Sequence, residues 1–270
     1  MIQNRSSTLA VREYTARKIR SEKLPQVVLV HGAMDRGLSF VRMVKLLTEL
    51  GIDCISYDRR GYQDSILTEP FSRDNLPTIE DHVEDLAELV GSRSTIIFGH
   101  SLGGTIALLL AEQNRTPITA IVTFESPLPW LDFWKKEAAY GMELEDLEDI
   151  ELAKNHAEAF MIRVLGSERW NKLPSNVKQR RRNEGLVLVS EIATATHRKP
   201  PLDPSRITIP CVIARGINSP HRYALASDYL TTRIPKTTTA IVDHTDHGIH
   251  LTNPTEATRL VELAFSIAVS

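Results

Sequence analysis

Short apolar runs typical of buried strands alternate along this chain with longer stretches in which apolar residues recur every three or four positions. Strands that alternate with helices in this way build parallel sheets with helices packed on both faces. The pattern therefore predicts an α/β fold with a mostly parallel central sheet, to which residues 9–15 add an antiparallel edge. The predicted strands are residues 26–30, 52–57, 95–98, 120–124, 211–215 and 238–242, and the predicted helices are residues 39–50, 78–90, 105–111, 221–232 and 255–269.

One long segment, residues 127–210, interrupts this alternation. It contains no strand pattern, only stretches with helical periodicity, and it is far too long for a loop without structure of its own. We therefore predict a helical cap over residues 127–210, inserted into a core domain that comprises residues 1–126 and 211–270. The acidic run at residues 143–151 is predicted to be the solvated face of this cap and not a metal site.

Composition and charge argue against several classes of function. A formal net charge of −2 and a pI near 6.5 disfavour a surface for nucleic acid or for anionic membranes. The one basic run, residues 178–182, is interpreted as a solvated helix face. No segment approaches the roughly 18 apolar residues of a membrane span, and the N-terminus lacks the apolar stretch of a signal peptide. Cys54 and Cys211 lie in apolar runs and are predicted to be buried thiols. The simplest expected location is the cytoplasm.

The strongest chemical motif is a Gly-x-Ser-x-Gly formed by Gly99, Ser101 and Gly103, between a predicted strand and a predicted helix. In that context the motif is typical of a nucleophile elbow, a tight and strained turn that lifts a serine hydroxyl above the sheet. The glycines are expected because side chains at those positions would collide. The following helix directs its positive end at any oxyanion that forms there. Ser101 is therefore the predicted nucleophile, and His100 is interpreted as a packing residue.

A serine nucleophile also needs hydrogen-bond donors for the oxyanion of its intermediates. His31 and Gly32 follow directly after the first long strand, where a loop can turn a backbone N–H toward the serine. We therefore predict that the N–H groups of Ala33 and Leu102 form the oxyanion hole.

The candidate general bases are the three histidines of residues 243–250, which follow the last predicted strand. His247 lies in the middle of this loop, ahead of the final helix, and is the predicted base. Three histidines so close together also suggest a metal site. No matching group of ligands with metal spacing occurs elsewhere in the sequence, so neither a metal nor a cofactor is predicted.

Taken together, these motifs resemble those of the α/β-hydrolase superfamily over essentially the whole chain. The family's oxyanion His-Gly matches residues 31–32, its Asp-x-x-Gly turn matches residues 58–61, and its elbow matches residues 99–103. Its final Gly-His stretch, which ends in proline, is similar to residues 246–254, with His247 in the place of the catalytic histidine. The resemblance implies the α/β-hydrolase fold and a triad in the chain order serine, acid, histidine.

The sequence departs from the family at the acid of the triad. The family's usual aspartate follows the penultimate strand, where this chain has Ser219. Haloalkane dehalogenases, which belong to the same superfamily, place the acid after the strand that follows the elbow helix, and Glu125 occupies that place here. The resemblance therefore implies Glu125 as the acid, with Asp243 and Asp246, close to the predicted histidine in sequence, as alternatives.

The serine favours acyl transfer to water through an acyl-enzyme, because the dehalogenases and soluble epoxide hydrolases of the superfamily attack with an aspartate instead. We expect a cofactor-free serine hydrolase that cleaves a carboxylic ester, thioester or lactone of a small, partly apolar molecule. Met34, beside the oxyanion loop, and Trp130 and Trp134, at the start of the cap, are predicted to contact this substrate.

Two alternative functions are compatible with the same motifs. One keeps the triad but hydrolyses a carbon–carbon bond in a diketone-type acid, or carries out perhydrolysis as in cofactor-free haloperoxidases. A carbon–carbon hydrolase needs a cationic group for the substrate carboxylate; Arg36 and Arg60 are candidates, although each is interpreted more simply as an exposed loop residue. The other alternative is a ligand-binding protein without turnover. The predicted partner is a small molecule, not nucleic acid or a membrane, and a homodimer is compatible with the sequence.

Overall fold

The computed structural model describes residues 2–4, 7–17, 24–65, 75–137 and 141–268. Its strands are β1 (Ile2–Asn4), β2 (Ser7–Leu9), β3 (Val11–Tyr14), β4 (Gln26–Val30), β5 (Cys54–Tyr57), β6 (Thr95–His100), β7 (Ile118–Phe124), β8 (Cys211–Gly216) and β9 (Thr237–Val242). Seven of them form one sheet in the order β3-β5-β4-β6-β7-β8-β9, and β1 pairs with β2 separately. Within the larger sheet β3 runs antiparallel to β5 and the other pairs are parallel. The predicted mostly parallel sheet with an antiparallel edge is confirmed.

Helices cover both faces of this sheet. They are α1 (Val41–Glu49), α2 (Ile79–Val90), α3 (Leu102–Glu112), α4 (Asp132–Glu137), α5 (Ile150–Leu165), α6 (Ser167–Lys172), α7 (Ser175–Asn183), α8 (Gly185–Thr196), α9 (His221–Thr231), α10 (Ile249–Thr252) and α11 (Pro254–Ala268), with 3₁₀ helices at Gly37–Phe40, Leu144–Glu148 and Pro204–Arg206. The predicted final helix is observed as α11, and its last predicted residue, Val269, lies outside the described residues.

The alternation of side chains along β4 explains why both faces are covered. Val27 and Leu29 belong to the apolar cluster that contains α1 and α11, whereas Val28 and Val30 belong to the cluster that contains α2, α3 and α9. All four side chains are completely buried. Because successive residues of a strand point to opposite faces, a continuous apolar run requires helices on both sides.

Between β7 and β8 the described residues contain helices and no strand. We call α4 to α8, with the 3₁₀ helix Leu144–Glu148, the helical insert. Its buried side chains form a third apolar cluster with Met34 and Tyr62, which lie in the loops after β4 and β5. The insert therefore packs against the C-terminal ends of the parallel strands.

The basic run of residues 178–182 is only partly solvated, which corrects the sequence interpretation. Arg181 is buried, and its Nη1 donates to the carbonyl oxygen of Met34 at 2.9 Å and to Glu184 Oε2 at 3.0 Å. The long arginine side chain reaches from α7 to the loop after β4, and it becomes buried because it finds acceptors there.

The other sequence-level expectations concern the thiols and the membrane. Cys54 and Cys211 are free and buried, as predicted, and burial raises the pKa of both thiols to about 12. Both are therefore protonated at neutral pH. None of the helices in the described ranges combines the length and the apolar character that a bilayer crossing requires.

Candidate active site

Ser101 occupies the sharp turn between β6 and α3. Its φ of 52° and ψ of −127° lie in a region that non-glycine residues rarely adopt. A Cβ on Gly103 would lie 2.2 Å from the carbonyl oxygen of Val30, and a Cβ on Gly99 would lie 2.4 Å from the Cα of Gly104. Those contacts are too short for any side chain, so the Gly-x-Ser-x-Gly spacing is a steric requirement of this turn.

The loop after β4 lies directly against this serine. A Cβ on Gly32 would come within 2.9 Å of the Cβ of Ser101, so the backbone of the loop approaches the serine closely. Ala33 follows, and Leu102 is the first residue of α3, whose opening N–H groups lack partners within the helix. The two predicted oxyanion donors thus belong to segments that flank Ser101.

Glu125 follows the last residue of β7 and adopts a φ of 52°. Its carboxylate is completely buried, and Oε2 lies 2.6 Å from Nδ1 of His247. The other oxygen, Oε1, accepts the N–H of Gly216 at 2.9 Å and the hydroxyl of Ser219. Ser219, at the position of the family's usual aspartate, therefore contacts the carboxylate of Glu125. This contact could not be deduced from the sequence.

The other two candidate acids point elsewhere. Asp243 and Asp246 are exposed, and Asp246 Oδ1 accepts the N–H of Gly248 at 3.0 Å and the hydroxyl of Thr252 at 3.1 Å. Asp246 thus stabilises the turn that carries the histidine. Of the three acids, only Glu125 contacts the imidazole of His247 in the described contacts.

The three histidines of residues 243–250 have different surroundings. His244 is exposed, His247 meets Glu125 with a third of its side chain accessible, and His250 is buried with Nε2 at 3.0 Å from Asp35 Oδ2. Burial would raise the pKa of Asp35, but the hydrogen bond and charge of His250 lower it below its usual range. Among the described residues, His244, His247 and His250 do not come together as a group of potential metal ligands.

A different group could offer ligands to a metal. Asp35, His100 and His250 place potential ligand atoms within 4.8 Å of one another. Ligand atoms around a zinc ion are closer together, about 3.3 Å apart for bonds of about 2.0 Å in tetrahedral geometry. His100 is also engaged, since its Nε2–H donates to the carbonyl oxygen of His247 at 2.6 Å. Burial, and then the neighbouring histidines, lower the pKa of His100 well below its ordinary value, so it is a neutral packing residue, as predicted.

Aromatic side chains flank the accessible part of His247. Tyr223 stacks on the imidazole at 5.1 Å between ring centroids, and Trp134 meets Tyr223 edge-on at 5.3 Å. Trp134, Trp130 and Met34, the predicted substrate contacts, are 5%, 9% and 3% exposed. Most of the surface of these three side chains therefore contacts protein. Of the three, Trp134 alone is linked to His247 by described ring contacts, through Tyr223.

The cationic groups near the site are not those expected. Arg60 is buried in an ion pair with Asp85, with Nε at 3.0 Å from Oδ2, so its assignment as an exposed loop residue is wrong. Arg36 donates to the side chain of Gln63 at 2.9 Å. Arg222 instead lies over the rings of Trp134 and Tyr223, at 5.7 and 5.1 Å, and has no acidic partner among the described residues. Sequence position gave no signal for Arg222, because its neighbourhood depends on the packing of α4 against α9.

Comparisons with known proteins agree with this architecture. A family model described as "alpha/beta hydrolase fold" matches residues 25–195. The chain is 27% identical over 105 residues to the AB hydrolase superfamily protein YfhM of Bacillus subtilis, a match that spans 39% of this chain and 37% of that protein. The enol-lactonase of Burkholderia xenovorans LB400 has a similar structure, with a TM-score of 0.71, 15% identity and coverage of 96% and 97% of the two chains. A thermophilic esterase from Thermogutta terrifontis matches with a TM-score of 0.67 and 15% identity over 97% and 94%.

Proposed function

The chain belongs to the α/β-hydrolase fold family, and we propose that it is a serine hydrolase that cleaves a carboxylic ester, thioester or lactone of a small molecule through an acyl-enzyme. The observation that carries the proposal is the contact of 2.6 Å between His247 Nδ1 and the buried carboxylate of Glu125. Glu125 directly follows Phe124, whose carbonyl oxygen accepts the N–H of Ser101, in the strained elbow, at 2.8 Å. A buried carboxylate on one imidazole nitrogen leaves the other nitrogen to act as a base. The similarity to structures named as an esterase and an enol-lactonase is consistent with this reaction class.

In the proposed mechanism, His247 Nε2 takes the proton of the Ser101 hydroxyl as its oxygen attacks the acyl carbon. The N–H groups of Ala33 and Leu102 donate to the oxyanion of the tetrahedral intermediate. His247 returns the proton to the leaving alcohol, thiol or ring oxygen, and the acyl group remains on Ser101. Water, deprotonated by the same imidazole, then attacks the acyl carbon; the bond to Ser101 Oγ breaks, the imidazolium returns the proton to that oxygen, and the acid is released. Glu125 stabilises the imidazolium and holds the tautomer with the proton on Nδ1.

We also propose that the helical insert acts as a cap over this site, within the predicted cap of residues 127–210. The support is its apolar cluster with Met34 and Tyr62, which places insert side chains against the loop of the proposed oxyanion hole. The core domain would then comprise residues 1–126 and 211–270.

A fluorophosphonate probe tests the proposal against a ligand-binding protein without turnover. Intact-protein and peptide mass spectrometry should find one label, on Ser101, and the labelled protein should lose hydrolysis of p-nitrophenyl esters. A panel of these esters from acetate to decanoate then gives the acyl-length preference. If Ser101 stays unlabelled and no ester in the panel is cleaved, a ligand-binding protein is the better explanation.

Arg222 favours a second candidate, in which the same triad acts on a substrate that carries a carboxylate, such as the diketone-type acid of a carbon–carbon hydrolase. Its guanidinium lies over two aromatic rings, one of which stacks on His247, and its Nε has no hydrogen-bond partner among the described residues. A cation without an acidic partner so close to the proposed base is suited to bind an anionic group of the substrate.

We expect Arg222→Gln to lower kcat/KM for the p-nitrophenyl monoester of adipate by about 10- to 100-fold, the equivalent of a charge-assisted hydrogen bond of about 1.5–3 kcal/mol. The neutral p-nitrophenyl hexanoate should change little, so the ratio of the two rates is the measurement. Arg36→Gln, at an arginine that donates to Gln63, is the matched control and should leave the ratio of the two rates unchanged. Equal losses on both esters would contradict a role in substrate charge recognition, and faster cleavage of a diketone acid than of either ester would favour the second candidate.

The proposed acid gives a separate prediction. Glu125→Gln should lower kcat for the preferred ester by about 10⁴-fold, the scale of a triad acid made neutral. The amide keeps the size of the side chain but removes the charge opposite the imidazolium and allows the wrong imidazole tautomer. Steady-state kcat, with circular dichroism to verify the fold, is the measurement.

Asp243→Asn and Asp246→Asn are the matched controls for Glu125→Gln and should retain activity. Ser219 lies against the same carboxylate, so Ser219→Asp in the Glu125→Gln background should restore part of the rate by returning a carboxylate to this position. Full activity of Glu125→Gln together with a dead Asp243 or Asp246 variant would move the acid into the histidine loop.

A further inference from the structure

A buried ion pair connects the helical insert to the loop of the proposed oxyanion hole. Arg59, in the loop after β5, places Nη1 2.5 Å from Oε2 of Glu191, which lies on α8 of the insert. Both side chains are completely buried. The hydroxyl of Tyr62 donates to Glu191 Oε1 at 2.6 Å, and Nε2 of His82 lies 3.2 Å from Oε2. The carboxylate is thus surrounded by polar groups, and Arg59 is its only full positive charge among these described contacts.

The other side of the Arg59 guanidinium faces the loop after β4. Its Nε donates to the carbonyl oxygen of His31 at 3.0 Å, and its Nη2 donates to the carbonyl oxygen of Gly32 at 3.0 Å. The backbone N–H of Arg59 donates to Nε2 of His31 at 2.8 Å. One arginine therefore binds both the insert and two consecutive carbonyls of this loop.

The imidazole of His31 holds the same carbonyl of Gly32. Burial, and then the charge of Arg59, lower the pKa of His31 to about 3, so the ring is neutral at pH 7. Because Nε2 accepts from Arg59, the ring proton is on Nδ1, which lies 2.8 Å from the carbonyl oxygen of Gly32 and donates to it. The carbonyl of Gly32 therefore accepts hydrogen bonds from the side chains of Arg59 and His31, in addition to a longer one, of 3.4 Å, from the N–H of Asp35.

The direction of this carbonyl determines the direction of the next N–H. The C=O of Gly32 and the N–H of Ala33 belong to one planar, trans peptide unit and point in opposite directions. Rotation of the unit, which would turn this N–H in another direction, would break the hydrogen bonds that Arg59 and His31 donate to the carbonyl of Gly32. Arg59 and His31 therefore hold the Ala33 N–H in its orientation.

Glu191 in turn keeps Arg59 in place. Burial disfavours the charged guanidinium, but the carboxylate raises the pKa of Arg59 above its ordinary value. Burial would likewise raise the pKa of Glu191, yet Arg59 and His82 lower it to about 2. Each group stays ionised because of its partner, and loss of one leaves an uncompensated buried charge. A buried arginine without Glu191 would be driven to rearrange, and its hydrogen bonds to the loop would change with it.

We propose that Glu191 is a positioning residue for catalysis, which acts through Arg59 to hold the Gly32–Ala33 peptide with its N–H toward the oxyanion. The inference rests on the proposed function, which assigns Ala33 to the oxyanion hole. In this proposal, the packing of the insert against the core determines whether the oxyanion hole is correctly formed. A second contact supports the coupling, since Arg181 of the insert donates to the carbonyl of Met34, the residue after Ala33.

Glu191→Gln should lower kcat by about 10²- to 10³-fold, the effect of losing one oxyanion donor, while KM changes little. The amide preserves the size of the side chain and removes only the charge that holds Arg59. Active sites are counted by fluorophosphonate labelling to completion, so that kcat refers to competent enzyme. The affinity for a trifluoromethyl ketone, which forms an oxyanion on Ser101, should fall in parallel with kcat/KM. Binding of the product carboxylate should not.

Glu158→Gln is the matched control, because Glu158 lies on α5 of the insert and pairs with Arg182, and no described contact joins it to the loop after β4. It should leave kcat and ketone affinity unchanged. Glu191→Asp keeps the charge but shortens the side chain, and it should give a smaller loss in the same direction. This variant keeps the test decisive if Glu191→Gln does not fold.

The outcomes separate this inference from the proposed function. A folded Glu191 variant with unchanged kcat per labelled site and unchanged ketone affinity, whether or not its Tm is lower, overturns the positioning role while the serine hydrolase stands. A wild-type protein that neither reacts with the fluorophosphonate nor cleaves esters would instead overturn the proposed function itself.

Discussion

Ser101→Ala should lower kcat for ester hydrolysis by about 10⁶-fold, the scale found when the nucleophile of a serine triad is removed. Alanine lacks the hydroxyl that attacks the acyl carbon, and the residual rate would come from binding and the oxyanion donors alone. The free energy of unfolding should change little, because the strained φ of 52° is already adopted by a residue with a Cβ and only the hydroxyl is lost. The measurements are kcat on the preferred p-nitrophenyl ester and Tm.

Ser227→Ala is the matched control for this variant. Ser227 is buried on α9, and its hydroxyl has no hydrogen-bond partner within the described part of the chain. Its loss should affect neither kcat nor fluorophosphonate labelling. Ester hydrolysis by Ser101→Ala at a rate near that of the wild type would show that Ser101 is not the nucleophile.

The fold could be predicted from local patterns because, in each core strand and helix, the order of apolar and polar residues indicates which side chains are buried. The apolar run Gln26–Val30 predicts a strand buried on both faces, and the helix Ile79–Val90 begins at a capping box formed by Thr78 and Asp81, which are only three residues apart. The elbow around Ser101 was predictable for the same reason, since its glycines and its flanking strand and helix are adjacent along the chain.

Contacts between distant segments were not predictable in this way. Arg59 and Glu191 are 132 residues apart, and their pairing depends on how α8 packs against the loop after β5. Arg60 and Arg181 were interpreted as exposed because charged side chains are buried only when they are paired. Their partners, Asp85 and the carbonyl of Met34, lie in other parts of the sequence.

The candidate acid shows both what local sequence can predict and what it cannot. Asp246 is adjacent to His247 along the chain, yet its carboxylate faces the turn after it, whereas Glu125 is 122 residues away and contacts the imidazole. The C-terminal ends of neighbouring parallel strands lie side by side, so residues that follow β7, β8 and β9 come close together there. The resemblance to the haloalkane dehalogenases made Glu125 a candidate, but only the three-dimensional arrangement brings it against His247.

His247→Gln should lower kcat about as strongly as Ser101→Ala, by roughly 10⁶-fold, because a serine hydroxyl without its base is too weak a nucleophile to do better than no nucleophile at all. Glutamine can occupy similar space but does not accept the proton of the serine hydroxyl. Labelling by the fluorophosphonate should slow by a similar factor, since that reaction needs the same base. The measurements are kcat and the rate of labelling.

His244→Gln is the control that distinguishes this mechanism from a metal-dependent one. His244 is exposed and lies three residues from His247 in the same loop, so its replacement should leave kcat unchanged. EDTA should also leave the wild-type rate unchanged, because the proposed mechanism takes its base and its oxyanion donors from protein groups. Inhibition by EDTA, together with equal losses in the His247, His250 and Asp35 variants, would instead assign the chemistry to a metal held by the group around His250 and would contradict the role of His247 as the base.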